Sequence, residues 1–242
     1  MEERDEISAA APAGTVIDWQ VLGDYKGLVE FVPVNVTPVG YWPEQDALIE
    51  HVGTAAAMSR LADTSDPVRN CNRVLHCIRM GHHSVLEHIN LSAIIDCDRG
   101  TTHALVRHRH CAFTQSSTVY GKFSDKIEIV SLPKEDPVTF TDIQPITEAE
   151  MDDFAEISKR YLRLKSEGLW GERTRDHLPI SLRSRLFMTA NLREWFYIVA
   201  RRSDPATSVR IHCVAVIMGN ILQAKYPVIW EAMNKYYVMH PL

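Results

Sequence analysis

The chain has 242 residues, 45% of them hydrophobic and 24% charged, with a formal net charge of -5. That is enough apolar material for one substantial core, and the length predicts a single globular domain. The acidic balance excludes nonspecific binding along a nucleic-acid backbone, because Lys and Arg have no overall excess with which to displace counterions, yet a local basic patch can still take a small anion.

Five cysteines, Cys71, Cys77, Cys97, Cys111 and Cys213, form no CxxC pair, and no secretory leader is evident, a pattern that predicts reduced thiols and a cytoplasmic location. No uncharged apolar run is long enough to cross a bilayer, so no membrane association is expected. Residues 1–27 read as an N-terminal extension and 28–242 as the domain. Residues 28–36, LVEFVPVNV, predict a strand that Pro33 confines to a sheet edge. Over 44–61, Leu48, Val52, Ala55 and Ala56 share one helical face, with Ser59 at its end. Ser65-Asp66-Pro67 starts a second helix, a capping side chain preceding a proline whose missing donor costs nothing in the first turn. Val68, Val74, Leu75 and Ile78 form its apolar face up to Gly81, a C-terminal cap.

Residues 89–97 predict a strand, Asp98 caps a short helix that runs into a basic cluster, and 126–132 alternate as a further strand. Thr147 and Glu150 make a capping box for a long helix with Phe154, Ile157, Tyr161 and Leu164 on its inner face and Gly168 at its end. Asn191 caps NLREWFYIVARR, and a last major helix is expected over 206–225, stopped by Pro227.

The chemistry concentrates in RHRHCAFTQSSTVY, residues 107–120, where Arg107, His108, Arg109 and His110 lead into Thr114, Gln115, Ser116, Ser117 and Thr118. Arginines fork onto phosphate or carboxylate, and hydroxyls and amides hydrogen-bond a polar planar group, so a nucleotide fits. The plainer reading is a solvated helix terminus favoured by the helix dipole. GHHSVLEH at 81–88 and ARRSD at 200–204 bring further His and Arg. No GxGxxG or GxxxxGK[ST] occurs, HExxH is absent, and Ser117 has no GxSxG elbow, so a doubly wound dinucleotide fold, a P-loop, a zinc site and a serine hydrolase lack support, and no metal is expected.

Arg107-His108-Arg109, seven residues, then Ser117 resembles the RHR-x7-S signature of the flavin-dependent thymidylate synthases. GHHSVLEH resembles that family's GHxSxxEH block, RTRDHLP its R-x-x-L-P block, and NLR followed by ARRSD its C-terminal flavin and substrate segment. The resemblance implies an α+β domain with a central mixed, largely antiparallel sheet flanked by helices, assembled as a homotetramer. It implies FAD as cofactor, with methylenetetrahydrofolate giving a one-carbon group to C5 of a uridine nucleotide, UMP or dUMP, and NADPH reducing the flavin. By position, Ser59, His82, Ser84, Glu87, Arg107, His108, Arg109, Asn191 and Arg193 match flavin contacts. Arg107, Gln115, Ser117 and Arg175 match nucleotide contacts, and Arg202 the arginine that binds and polarises the pyrimidine.

Glu87 and Arg193 equally suit an internal ion pair, and Ser59 a helix end. The departures lie on the nucleotide side: Val119 replaces an arginine and Ala104 a glutamine, while Tyr197 stands at a flavin-facing asparagine and Arg210-Ile211 at a Glu-Ile pair. In this the chain is similar to relatives in nucleoside-antibiotic pathways, such as polyoxin biosynthesis, that methylate UMP as well as or instead of dUMP. A catalytically silent flavin- or nucleotide-binding protein is the competing reading; the retained Arg202 favours the enzyme.

Overall fold

The computed structural model describes residues 14–20, 22–118 and 125–236. Its spine is a pair of nine-residue strands, β4 (Asn90–Asp98) and β7 (Arg183–Asn191), antiparallel along their whole length from Asn90 opposite Asn191 to Asp98 opposite Arg183. β3 (Asn35–Val39) flanks β4, and β5 (Cys111–Gln115) flanks β7, giving the all-antiparallel order β3-β4-β7-β5. A smaller sheet joins β1 (Asp24–Tyr25) antiparallel to β2 (Val29–Val32), and β2 parallel to β6 (Ile127–Val130). The expected α+β class with largely antiparallel sheets flanked by helices is what the chain forms.

Period-two alternation explains the spine. Leu91, Ala93, Ile95 and Cys97 of β4 and Leu186, Met188 and Ala190 of β7 point into one core, where Trp195 is fully buried and donates its indole N–H to the Leu91 carbonyl at 3.0 Å. That bond ties α6 (Leu192–Arg202) across β4. Asn191 caps the helix as expected, its Oδ1 accepting from the Glu194 N–H at 2.8 Å.

The other capping signals hold as well, although Val68, expected on the apolar face of the second helix, is exposed. α1 (Gln45–Met58) ends at Ser59, and α2 (Pro67–Arg79) is capped by Asp66, which accepts from the Val68 and Arg69 amides. α3 (Arg99–Leu105) is capped by Asp98, and α4 (Glu148–Ser166) carries the Thr147/Glu150 capping box. α5 (Gly171–Arg175) and α7 (Val209–Lys225) follow. α7 ends at Lys225, just before Pro227 as expected, and Pro227 also opens α8 (Pro227–Tyr236), because a proline lacks only a donor that a first turn leaves unpaired.

Three strands escape sequence reading: β1, which falls in the stretch read as an extension, β5 and β7. β7 alternates, but its inward positions include the small residues Ser184 and Ala190 and an outward one is Phe187, so the apolar contrast is faint. β5 lies in the hydrogen-bonding run after the basic cluster. The strand expected over 28–36 is divided at Pro33, β2 and β3 joining different sheets.

Part of the stretch read as an extension is built into the domain: the Gln20 side chain donates to the Pro133 carbonyl and accepts from the Ile146 amide, and β1 pairs with β2. The five cysteines are unpaired with one another. Among the described residues no helix is long and apolar enough to cross a membrane, and no group of three or more His, Cys, Asp or Glu side chains is arranged to hold a metal.

Candidate active site

Gly81 sets the site's first wall. It ends α2 at φ 73°, with its own N–H on the Ile78 carbonyl and the His82 N–H on the Cys77 carbonyl, the paired bonds of a left-handed helix stop. The chain turns directly into a 3-10 helix, His83–His88. With three residues per turn, His83 and Leu86 form one row and are buried, whereas Ser84 and Glu87 form another, and His82, Val85 and His88 a third. The last two rows face a cleft of about 850 Å³ that α1 and α2 complete.

Ser59, His82, Ser84 and Glu87, four of the expected flavin contacts, line this cleft. Ala55, Ala56 and Val85 supply apolar wall, and Arg60, Arg73 and His76, which sequence reading did not single out, add basic groups. The signal was the three-residue spacing of Arg73 and His76 on α2, which places them on one helix face. An apolar surface beside hydroxyls and cations suits a ligand that is aromatic at one end and phosphorylated at the other, so the donor set fits FAD.

A second hollow of about 350 Å³, lined by Glu87, His110, Asn191, Arg193, Glu194 and Tyr197, continues from the first through Glu87. Arg193 and Glu87 are ion-paired across it. The plainer role weighed for these two residues is therefore realised, and both still line the groove. Ser59 likewise does both things, closing α1 and facing the cleft.

The basic cluster forms the third hollow, about 490 Å³, lined by Ala104, Arg107, His108, Arg109, His110, Arg201 and Arg202 among others. Arg107 and Arg109 are exposed while His108 between them is buried. Both ring nitrogens of His108 are engaged, Nδ1 with Glu194 Oε1 at 3.2 Å and Nε2 with Arg202 Nε at 2.9 Å. Arg202 also donates from Nη2 to the Ala104 carbonyl at 2.7 Å. Burial foremost, then the charge of Arg201, lowers the proton affinity of the Arg202 guanidinium, with Arg107 adding to the effect; an arginine nevertheless stays cationic near neutral pH. Such a clamped cation at the end of a groove can stabilise charge developing on a planar ligand.

Gln115, Ser117 and Arg175 line none of these three hollows. Gln115 donates to the hydroxyls of Thr102 and Ser184 at 2.8 and 2.9 Å, Ser117 lies exposed just after β5, and Arg175 pairs with Glu172 at the end of α5. One chain thus holds the expected flavin residues together with Arg202, and holds the other nucleotide residues elsewhere. Val119 lies outside the described residues.

Sequence reading also missed Glu194. As the third residue of α6 it reads as a first-turn acid, and only the fold brings it to His108.

Comparison with known proteins places these features. The chain is 31% identical over 181 residues to the flavin-dependent thymidylate synthase of Mycolicibacterium gilvum, spanning 70% of this chain and 72% of that one. It is 29% identical over 198 residues to the enzyme of the same name from Mycobacterium tuberculosis, spanning 76% and 78%. Its fold matches the crystal structure of a UMP/dUMP methylase, PolB, from Streptomyces cacaoi bound with 5-Br dUMP, with a TM-score of 0.71 at 20% identity over 88% of this chain and all of that one. The profile of the family described as thymidylate synthase complementing protein matches residues 39–228, most of the sequence, and the chain belongs to that family of flavin-dependent enzymes.

Proposed function

We propose that the protein methylates C5 of a uridine nucleotide, UMP or dUMP, with methylenetetrahydrofolate as carbon donor and FAD reduced by NADPH. The observation that carries this reading is the clamped Arg202 guanidinium in a hollow that continues, through residues shared between neighbouring hollows, into the cleft of Ser59, His82, Ser84 and Glu87. When bound, the reduced flavin supplies the hydride that completes the methyl group.

The chain's own residues do the rest. Ser59, His82, Ser84, Glu87, Asn191 and Arg193 hold the cofactor along the groove, with Arg107 and Arg109 at its basic end, while His108, expected as a flavin contact, is buried with both ring nitrogens engaged by Glu194 and Arg202. Arg202 binds the pyrimidine and stabilises negative charge spreading onto a ring carbonyl as C5 attacks the one-carbon unit. Gln115, Ser117 and Arg175 complete the nucleotide site from another subunit of a homotetramer, a reading supported by their absence from the Arg202 hollow.

No thiol is asked to act as nucleophile. Cys111, the cysteine next to the basic cluster, is pushed up to about 12 by burial and by the Glu194 carboxylate, which leaves it protonated.

A single-turnover reaction tests the proposal. Protein loaded with FAD and reduced is mixed with methylenetetrahydrofolate and either nucleotide, and the 5-methyl product is followed by chromatography. Product formation is expected. Flavin-loaded protein that makes none with either nucleotide is a silent binding protein instead.

A further inference from the structure

Glu194 belongs to none of the sequence blocks that resemble the family, yet it is one of the buried charged residues of the chain, its side chain 9% exposed beside a His108 side chain at 5%. As the third residue of α6 it lies in the first turn, where the positive end of the helix dipole favours a carboxylate. Its Oε1 faces His108 Nδ1, while His108 Nε2 faces Arg202 Nε.

The partners assign the protons. A guanidinium only donates, so His108 Nε2 accepts from Arg202. A neutral imidazole that accepts at Nε2 carries its proton at Nδ1, and that N–H requires an acceptor, which Glu194 supplies. An imidazolium would set two N–H groups against each other. Tyr197 packs on the imidazole edge-to-face, ring centres 5.7 Å apart at 74°, which restrains the ring from swinging.

We propose that Glu194 is a positioning residue for Arg202, acting through His108. The carboxylate holds the imidazole in the Nδ1–H tautomer, and the imidazole with the Ala104 carbonyl holds the guanidinium. A guanidinium has five N–H groups, and these two bonds use two of them, leaving three for a ligand. Without Glu194 the ring is free to take the Nε2–H tautomer, which turns a donor toward Arg202 and displaces its guanidinium. The effect on turnover rests on the methyl-transfer reading; the tautomer does not.

The experiment therefore reads both. Full-length, FAD-loaded protein is labelled with 15N in the histidine ring, and two-bond proton–nitrogen spectra distinguish the tautomers. His108 is expected as Nδ1–H in the wild type and in Glu194→Gln, which keeps an oxygen acceptor, and as Nε2–H or a mixture in Glu194→Ala. In turnover, Glu194→Ala should lower kcat by about tenfold or more with FAD stoichiometry unchanged, and Glu194→Gln should recover most of it. If Glu194→Ala does not fold, Glu194→Leu, which fills the space without an acceptor, replaces it. An Nε2–H tautomer in the wild type overturns the proposal, as does an acceptor-free variant with wild-type kcat. Absence of methylated product from the wild type would instead overturn the functional reading, with the spectra still deciding the tautomer.

Discussion

Gly53 of α1 and Asn70 of α2 meet with no room between them: a Cβ on Gly53 would stand 2.6 Å from Asn70 Cβ and 2.9 Å from its Cα. Asn70 is itself fixed, donating to the Thr64 carbonyl at 2.8 Å and accepting from Arg73 Nη1 at 2.7 Å. The contact sets the approach of two helices that wall the large cleft proposed for FAD, and Arg73 lines that cleft. Gly53→Ala should lower stability by about 1–3 kcal/mol through overpacking, although alanine is the better helix former by ~1 kcal/mol. FAD affinity should fall with it. Urea unfolding and flavin titration check both; a stabilised variant would show that the helices separate without cost.

Arg202→Ala should reduce kcat at least about a hundredfold, ~3 kcal/mol of lost charge stabilisation, while leaving FAD binding nearly intact. The separation follows from position, since Arg202 lines the basic hollow and Ser59, His82 and Ser84 line the large cleft. Arg202→Lys should rescue little, because one ammonium cannot reproduce the fork held by His108 and the Ala104 carbonyl. Turnover measured beside the visible flavin spectrum separates binding from chemistry, and a wild-type rate in the alanine variant would remove Arg202 from the reaction.

Cys111→Ala should keep methyl transfer within about twofold. Its thiol, raised to about 12, is ionised to roughly one part in 10,000 at pH 8, too little for a nucleophile at that pH. The sign is that of a raised acid: the neutral thiol persists through neutral and mildly alkaline pH, and thiolate appears only near 12. Alkylation rates with iodoacetamide between pH 7 and 10 should accordingly stay far below those of a free thiol. Loss of product formation in the alanine variant would point to covalent catalysis.

Mixing two inactive variants tests whether sites are shared. Arg202→Ala and Arg175→Ala each damage one side of the proposed site, and Arg175 lies outside the hollow that Arg202 lines. If subunits contribute across an interface, unfolding and refolding the two together should regenerate intact sites, about a quarter of them for random pairing. Steady-state rates of the mixture, with light scattering for the assembly, decide it. A mixture no more active than its components would place both arginines in one chain's site.

What was legible in the sequence was local. Asp66, Asp98, Thr147 with Glu150, and Asn191 all cap the helices expected of them, because a cap acts within three residues of itself. Ser59, His82, Ser84 and Glu87 converge on one cleft because three of them lie on one short 3-10 turn and its approach. β7 was illegible for the opposite reason: its identity as the central strand depends on β4, about ninety positions earlier, and its own inward residues include Ser184 and Ala190. The Glu194–His108 contact spans 86 positions, and neither side chain announces the other. Pro227 was read as a stop, and α7 does end before it, but it also opens a helix, as Pro33, read as an edge marker, also divides two strands: a proline reports a missing donor and not what the chain does on its other side.

The nucleotide's sugar is the last point to test. Ala104 lines the hollow that contains Arg107 and Arg202, and its carbonyl holds Arg202. A methyl group stands there where the family resemblance expects a glutamine, so the side chain is three heavy-atom positions shorter beside the proposed pyrimidine site, leaving space in which a ribose 2′-hydroxyl and its water can sit. Arg202 and Arg107 line the same hollow, where the proposed reading has them hold ring and phosphate. A site built for deoxyribose rejects the hydroxyl by steric conflict or by burying it unpaired, whereas an open one discriminates little. The specificity constant for UMP should therefore lie within about tenfold of that for dUMP, ~1.4 kcal/mol in transition-state binding. Ala104→Gln should restore preference for dUMP by narrowing the hollow. Parallel assays of both nucleotides with wild type and variant measure the ratio directly; a wild-type preference for dUMP beyond a thousandfold would mean that the space at Ala104 is not where the sugar lies.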